Sequence, residues 1–212
     1  MISTYLVIGA FAGVMSGMFG IGGGVIVIPA LSAIFLQENM FPSNLVMQMA
    51  VGTSLAIMIV TSLSSLYVHH RREVVRWNIF QTMLPFLIIG VVAGSVIAHF
   101  LSSLMLQIIF GVFLLLLGAR LILSGQNKES NRVVSNRTMQ IASILIGCLS
   151  SVLGVGGGTI FVPFLLYCSL DMREAMGTSI ACGLTIGVVH QVPLSFGHFF
   201  QRSGGKYSRI RT

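Results

Sequence analysis

The sequence predicts an all-α fold, a polytopic membrane helix bundle of two parallel-oriented repeats, and three observations lead there. Only 8% of the 212 residues are charged while 55% are apolar, against roughly a quarter charged in an ordinary soluble domain. The charges are also segregated, leaving residues 1–37, 78–119, 138–170 and 175–201 without Asp, Glu, Lys or Arg. Finally, two glycine-rich segments and two Gly-Thr-Ser elements recur in the same order.

A membrane-spanning helix needs about 20 apolar residues, which places spans at 4–36, 45–68, 79–99, 103–123, 138–169 and 175–199. The first cannot be a secretory signal. No Lys or Arg precedes its apolar run, and the run is longer than the roughly 7–15 residues of a signal's apolar region. The connectors after the second, fourth and sixth spans hold eleven of the 12 Lys and Arg, and Arg173 alone lies elsewhere. Basic connectors favour the cytoplasm. Every tract is therefore expected to cross, with both termini cytoplasmic.

The net charge of +7 resides in those connectors without interleaved aromatic residues, so it orients the chain in a lipid bilayer and excludes nucleic acid as a partner. Cys148, Cys168 and Cys182 lie in or beside apolar tracts without CxxC spacing. They read as packing residues, with neither a disulfide framework nor a zinc site.

Residues 16–31 read SGMFGIGGGVIVIPAL and residues 150–165 read SSVLGVGGGTIFVPFL. Gly20, Gly22, Gly23, Gly24 and Pro29 recur at one constant offset as Gly154, Gly156, Gly157, Gly158 and Pro163. Gly52-Thr53-Ser54 then recurs as Gly177-Thr178-Ser179. Four crossings separate the copies, an even number, so parallel repeats are expected.

The first tract of each copy is too long for a straight span. About 33 residues at 1.5 Å each make a helix of roughly 50 Å, against a hydrocarbon core of about 30 Å. The glycines near the middle and the proline beyond them weaken a helix. Unwound backbone at membrane depth is tolerated only where protein buries it or a cavity is lined by it. Each copy is thus expected to give a broken helix to a central site, where freed N–H groups favour an anion. Packing is the competing explanation for glycine in membrane helices, and it is preferred for Gly9, Gly13, Gly17, Gly90 and Gly94.

Thr53, Ser54, Thr178 and Ser179 are candidate auxiliary donors to the anion, or alternatively helix caps and interhelical bonds. His69, His70, His190 and His198 are candidates for a proton site or gate, because an ionisable group at membrane depth is a functional candidate by default. His190 could equally be a hydrogen-bonded structural residue. No acidic residue falls inside a span, which argues against a carboxylate-lined cation path and against a metal-dependent hydrolase. No enzyme, metal or cofactor is expected. FGIGGGV and LGVGGGT lack the spacing of a dinucleotide fingerprint.

At these residues the sequence resembles the sulfite exporter TauE/SafE family of probable membrane transporters. The resemblance rests on the glycine segments ending in Pro29 and Pro163, the two Gly-Thr-Ser elements, and the histidines followed by basic residues after the second span. It implies a bacterial inner-membrane protein of about eight helices in two repeats, exporting sulfite, a sulfonate or a related anion. The resemblance implies that the motif positions bind substrate: Gly20, Gly22, Gly23, Gly24, Pro29, Gly52, Thr53 and Ser54, with Gly154, Gly156, Gly157, Gly158, Pro163, Gly177, Thr178 and Ser179.

The second copy departs from that plan, since after Gln201 the chain reads RSGGKYSRIRT, with no further apolar tract. The expected organisation is a four-helix repeat at 1–124, a cytoplasmic connector at 125–137, the first two helices of a second repeat at 138–200 and a basic tail at 201–212. A shortened member that completes itself as a homodimer would account for this. So would a truncated, non-transporting fragment or a membrane scaffold subunit. An inside-negative potential of about 100 mV favours exit of one negative charge by about 2.3 kcal/mol, so export by alternating access needs no elaborate coupling.

Overall fold

The computed structural model describes residues 9–10, 12–14, 24–37, 42, 45–123 and 135–207, with side chains to residue 119 in one stretch and 191 in the other. Everything described is helix, turn or short connector. The helices are α1 (Gly24–Gln37), α2 (Val46–Arg71), α3 (Trp77–Phe100), α4 (Ser103–Leu123), α5 (Asn136–Leu153), α6 (Gly157–Tyr167) and α7 (Met172–Tyr207). By length and apolarity α2 and α3 can each cross a membrane.

Burial is distributed as in a protein whose solvent is lipid. Ser54, Ser143, Ser150, Ser151, Thr178, Ser179 and His190 are buried, whereas Val60, Leu63, Ile89, Val96, Leu104, Ile108, Leu115 and Leu116 are exposed. A soluble fold would reverse that assignment, because water penalises large apolar patches. In a bilayer no hydrophobic force drives helices together, so helix contacts rely on small and polar residues as well as on the apolar core of Ile28, Leu55, Leu87 and Phe161.

The contact between α3 and α5 shows the rule at work. A Cβ placed on Gly90 would collide with the carbonyl of Ile144, one on Gly94 with that of Cys148, and one on Gly147 would lie 2.9 Å from that of Leu87. Only glycine lets these backbones approach so closely. Gly90 and Gly94 are thus packing residues, as their spacing predicts. Gly9 and Gly13 have no described neighbour within 4 Å, and Gly17 lies outside the described residues. Register pairs Gly90 with Ile144 and Gly94 with Cys148, so α3 and α5 run parallel.

Antiparallel contacts fix the other directions. Backbone and side-chain bonds join Met47 to Ser103 and Gln48 to Leu101, which sets α2 antiparallel to α3. Gly187 faces Leu55 and Ile59, Gly183 faces Ser62, and Gln191 bonds the carbonyl of Gly52, which sets α7 antiparallel to α2. Gly24 meets Ser54 while Ile28 and Val51 both meet Gly154, so α1 runs back along α2. Gly157 meets Ser179 and Gly183, and α6 leads through Cys168–Leu170 into α7, so α6 runs back along α7.

Two expectations are corrected by this geometry. The tract 138–169 does not cross as one span. It rises as α5, breaks at Gly154–Gly156, and returns as α6 to the end of the bundle that holds the α2–α3 connector. There Arg76 reaches Glu174. The two copies are consequently inverted rather than parallel, since the helices bearing their Gly-Thr-Ser elements point in opposite directions. Counting every apolar tract as a crossing gave the wrong parity, because a reversing turn inside an apolar run leaves no mark on hydropathy.

Candidate functional site

The break in the second copy is built by local backbone chemistry. Gly154 takes a left-handed conformation, φ 66°, which costs glycine little and other residues more. Its N–H and that of Val155 both reach the carbonyl of Ser150, the six-to-one bond of a glycine-terminated helix end. Two residues later α6 starts after Gly156, with no side-chain cap. Its first-turn N–H groups, at Gly157 and Gly158, have no intrahelical partner, as at any helix start.

The first copy meets this break directly. A Cβ on Gly24 would lie 2.7 Å from the Gly154 carbonyl and 3.2 Å from Ser54 Oγ. Ser54, itself buried, donates a hydrogen bond of 3.2 Å to that carbonyl. Val51 and Ile28 close the apolar side around Gly154, and Met58 lies against Gly156. α6 begins here, and α1 is described from here; the two run away from one another toward opposite ends of the bundle. The N-terminus of α6, which carries partial positive charge, therefore opens onto a buried region that the first copy also lines at Gly24 and Ser54. Gly154, Val155, Gly156 and Gly157 are all buried, which meets the requirement that unwound backbone at this depth be enclosed by protein.

The predicted site residues divide by where the structure puts them. Gly24, Ser54, Gly154, Gly156, Gly157 and Gly158 come together at the break. Pro29 and Pro163 lie inside α1 and α6, where proline cannot donate to the carbonyl four residues back and so loosens the first turns of each half-helix. Gly52 is tied to α7, because Gln191 Nε2 donates to its carbonyl at 2.9 Å. The rest point elsewhere. Thr53 donates to Met49 on an exposed face, Ser179 donates to Met176, and Thr178 accepts the backbone N–H of Arg76 at 3.1 Å. Gly177 lets Val74 approach to 3.0 Å of where its Cβ would be. Gly20, Gly22 and Gly23 lie outside the described residues.

Of the histidines, His69 bonds the carbonyl of Ser65 and His70 stacks edge-on against Trp77. Both close the C-terminal turn of α2, where positive charge is favoured, and neither is near the break. The backbone of His198 belongs to α7, and its side chain lies outside the described ones. His190 is different. Its buried ring places Nδ1 2.8 Å from Ser151 Oγ, three residues before Gly154.

Sequence reading missed Ser151 and Gln191. Their signal was present in each case, a polar residue within an apolar tract, but a serine or glutamine in a membrane helix usually satisfies itself locally. At the connector end Arg76 pairs with Glu174 at 2.7 Å. The Glu174 carboxylate, accepting that bond, holds the Arg76 guanidinium further above its ordinary value. A cleft of about 500 Å³ between Arg76, Trp77, Ser169 and Glu174 opens beside this pair. Among the described residues no cluster of His, Cys, Asp or Glu could hold a metal.

The broken half-helices of an inverted repeat are the architecture by which membrane transporters hold an ion at mid-depth. In comparison with known proteins, residues 5–204 match the family model described as sulfite exporter TauE/SafE. The chain belongs to the sulfite exporter TauE/SafE family. It is 30% identical over 184 residues to a probable membrane transporter protein of Haemophilus influenzae, covering 86% of this chain and 69% of that one. A probable membrane transporter protein of Methanocaldococcus jannaschii is 28% identical, covering 82% and 65%. The probable membrane transporter protein YunE of Bacillus subtilis is 27% identical, covering 82% and 71%. The chain thus spans about two thirds of the length of these relatives. No solved structure matches. Membership of this family makes the chain a membrane protein of transport and gives no indication of an enzyme.

Proposed function

We propose that this chain moves a small, sulfur-containing oxyanion, sulfite or a sulfonate, across the bacterial inner membrane by alternating access at the paired break. One observation carries the reading: the N-terminus of α6 opens at Gly157 onto a buried break that Gly24 and Ser54 of the first copy line from the other side. A helix N-terminus favours negative charge, and no acidic residue lies in α1, α5 or α6 to neutralise it. The first-turn N–H groups of α6 would meet the anion, with Ser54 as a neighbouring hydroxyl. Sulfite is the substrate class in the family's description; the relatives' names state transport only.

Inversion of the repeats supports alternating access, because exchanging the conformations of two inverted copies opens a site to the other side. The α2–α3 and α4–α5 connectors with the helix turns that flank them, together with Arg173, hold eight of the 12 Lys and Arg, so that end of the bundle is assigned to the cytoplasm. The C-terminal end of α7 then falls on the opposite face, which revises the expected cytoplasmic placement of the basic tail.

The test is efflux of labelled sulfite and of a small sulfonate from proteoliposomes containing the purified chain. Saturable efflux of either anion, competed by the other, is the expected outcome. A well-inserted chain that passes neither anion would sink the substrate assignment. A scaffold role would instead show as lost complex formation, with no flux to lose.

A further inference from the structure

Two adjacent polar residues, His190 and Gln191, sit in an otherwise apolar and small-residue stretch of α7. His190 Nδ1 lies 2.8 Å from Ser151 Oγ, on α5 just before the break. Gln191 Nε2 bonds the carbonyl of Gly52, on the α2 element that also carries Ser54. The imidazole therefore lies where the second-copy break and the first-copy Gly-Thr-Ser helix are fastened together. It is the one buried ionisable side chain other than cysteine on the described spans.

Charge around it matters, because an imidazolium at membrane depth needs a counter-charge. Four helices pack on α7: α2, α3, α5 and α6. On α2 the titratable groups are Tyr67, His69, His70 and Arg71, all in its last turns at the far end. On α3 there is only His99, beside Phe100 at the end of the helix. On α5 there are Arg137, in its first turn, and the Cys148 thiol, and on α6 there is Tyr167. On α7 itself Arg173 and Glu174 stand at its start, more than four turns away, Cys182 lies about two turns before His190, and His198, Arg202, Lys206 and Tyr207 follow it from about two turns on. No carboxylate among the described residues can neutralise His190, and the N-terminus of α6 beyond the break opposes a cation further.

We propose that His190 is a proton-binding site whose counter-charge is the transported anion itself, so that proton and anion load together at the paired break. The inference rests on the anion reading above. An empty site then favours the neutral ring, held by Ser151. An anion arriving at the α6 N-terminus makes the imidazolium tolerable, and by linkage the protonated ring raises affinity for the anion. The imidazolium donates from both nitrogens, so Ser151 Oγ accepts from it in the loaded state.

The experiment is equilibrium binding of methanesulfonate, an anion ionised throughout the range used, to the full chain in nanodiscs between about pH 5.5 and about pH 8, which bracket histidine titration. Proton uptake on mixing is followed in parallel with an indicator dye. Affinity is expected to fall by up to about tenfold per pH unit above the titration midpoint, with uptake of protons as the anion binds. His190→Gln should bind with an affinity that does not change with pH. Ser151→Ala should keep the pH dependence with a displaced midpoint, which ties the uptake to His190 even if His190→Gln fails to fold. Binding that is flat with pH in the unaltered chain, or an unchanged slope in His190→Gln, would overturn the proton site alone. Absence of binding at every pH would overturn the anion reading together with it.

Discussion

Gly52-Thr53-Ser54 and Gly177-Thr178-Ser179 are the same three residues in the same kind of helix, yet they hold different things. In the first copy Ser54 donates across the copies to the unwound carbonyl of Gly154, and Thr53 faces outward. In the second copy Thr178 grips the backbone of the α2–α3 connector, and Gly177 makes room for Val74. Ser179 turns its hydroxyl to its own helix, while its carbonyl faces Gly157. A repeated motif thus specifies a backbone that neighbours can approach closely. What approaches is decided by which element of the inverted pair lies opposite.

The comparison can be broken by substitution. The largest effect is expected at Gly157, where a Cβ would meet the backbone of Ser179 and Gly183. Gly157→Leu should abolish anion flux and destabilise the α6–α7 crossing by about 1–3 kcal/mol, the usual cost of overpacking. Thermal unfolding in detergent and flux in proteoliposomes measure both. Normal flux in this variant would remove the break from the transport path. Gly90→Leu, at the α3–α5 crossing, should destabilise by a similar ~1–3 kcal/mol. Its residual flux should track the folded fraction, which separates a packing glycine from a site glycine.

Ser54→Ala should come next, with stability lowered by about 0.5–1.5 kcal/mol, the worth of one intramolecular hydrogen bond. Anion affinity should weaken several-fold, as read from the concentration dependence of efflux. If affinity stays put while stability falls, Ser54 braces the break without touching the anion. Thr178→Val should cost about 0.5–1 kcal/mol by freeing one N–H of the connector, leaving affinity unchanged; protease sensitivity at residues 72–76 gives the readout. The smallest effect belongs to Glu174→Gln. Arg76 is exposed, so water and salt screen the pair, and equal stability of this variant and the unaltered chain at low salt would show the Arg76 pair to be a bystander.

Much of this was legible in the residues, and the parts that were not have a common cause. Charge-free tracts gave α2, α3 and α4 nearly to their ends, since a bilayer demands apolar length and basic connectors. Repetition of the glycine segments exposed a break, and its cause was readable too, because a glycine run followed by a proline interrupts a helix wherever it lies. Ser54 was named with three other hydroxyls, but nothing local distinguishes it from Thr53 next to it. Ser151 and Gln191 went unremarked for the same reason, each acquiring its role only from a residue 39 or 139 positions away.

By itself, then, the sequence determined that this is an all-helical membrane bundle with a duplicated, glycine-broken element, because composition and periodicity answer to the bilayer and to backbone stiffness. The tertiary structure alone decided that the second broken tract turns back, that the copies are inverted, and that one hydroxyl of four reaches the break. A reversing turn at Gly154 changes direction without changing hydropathy, and direction sets which faces of two identical motifs ever meet.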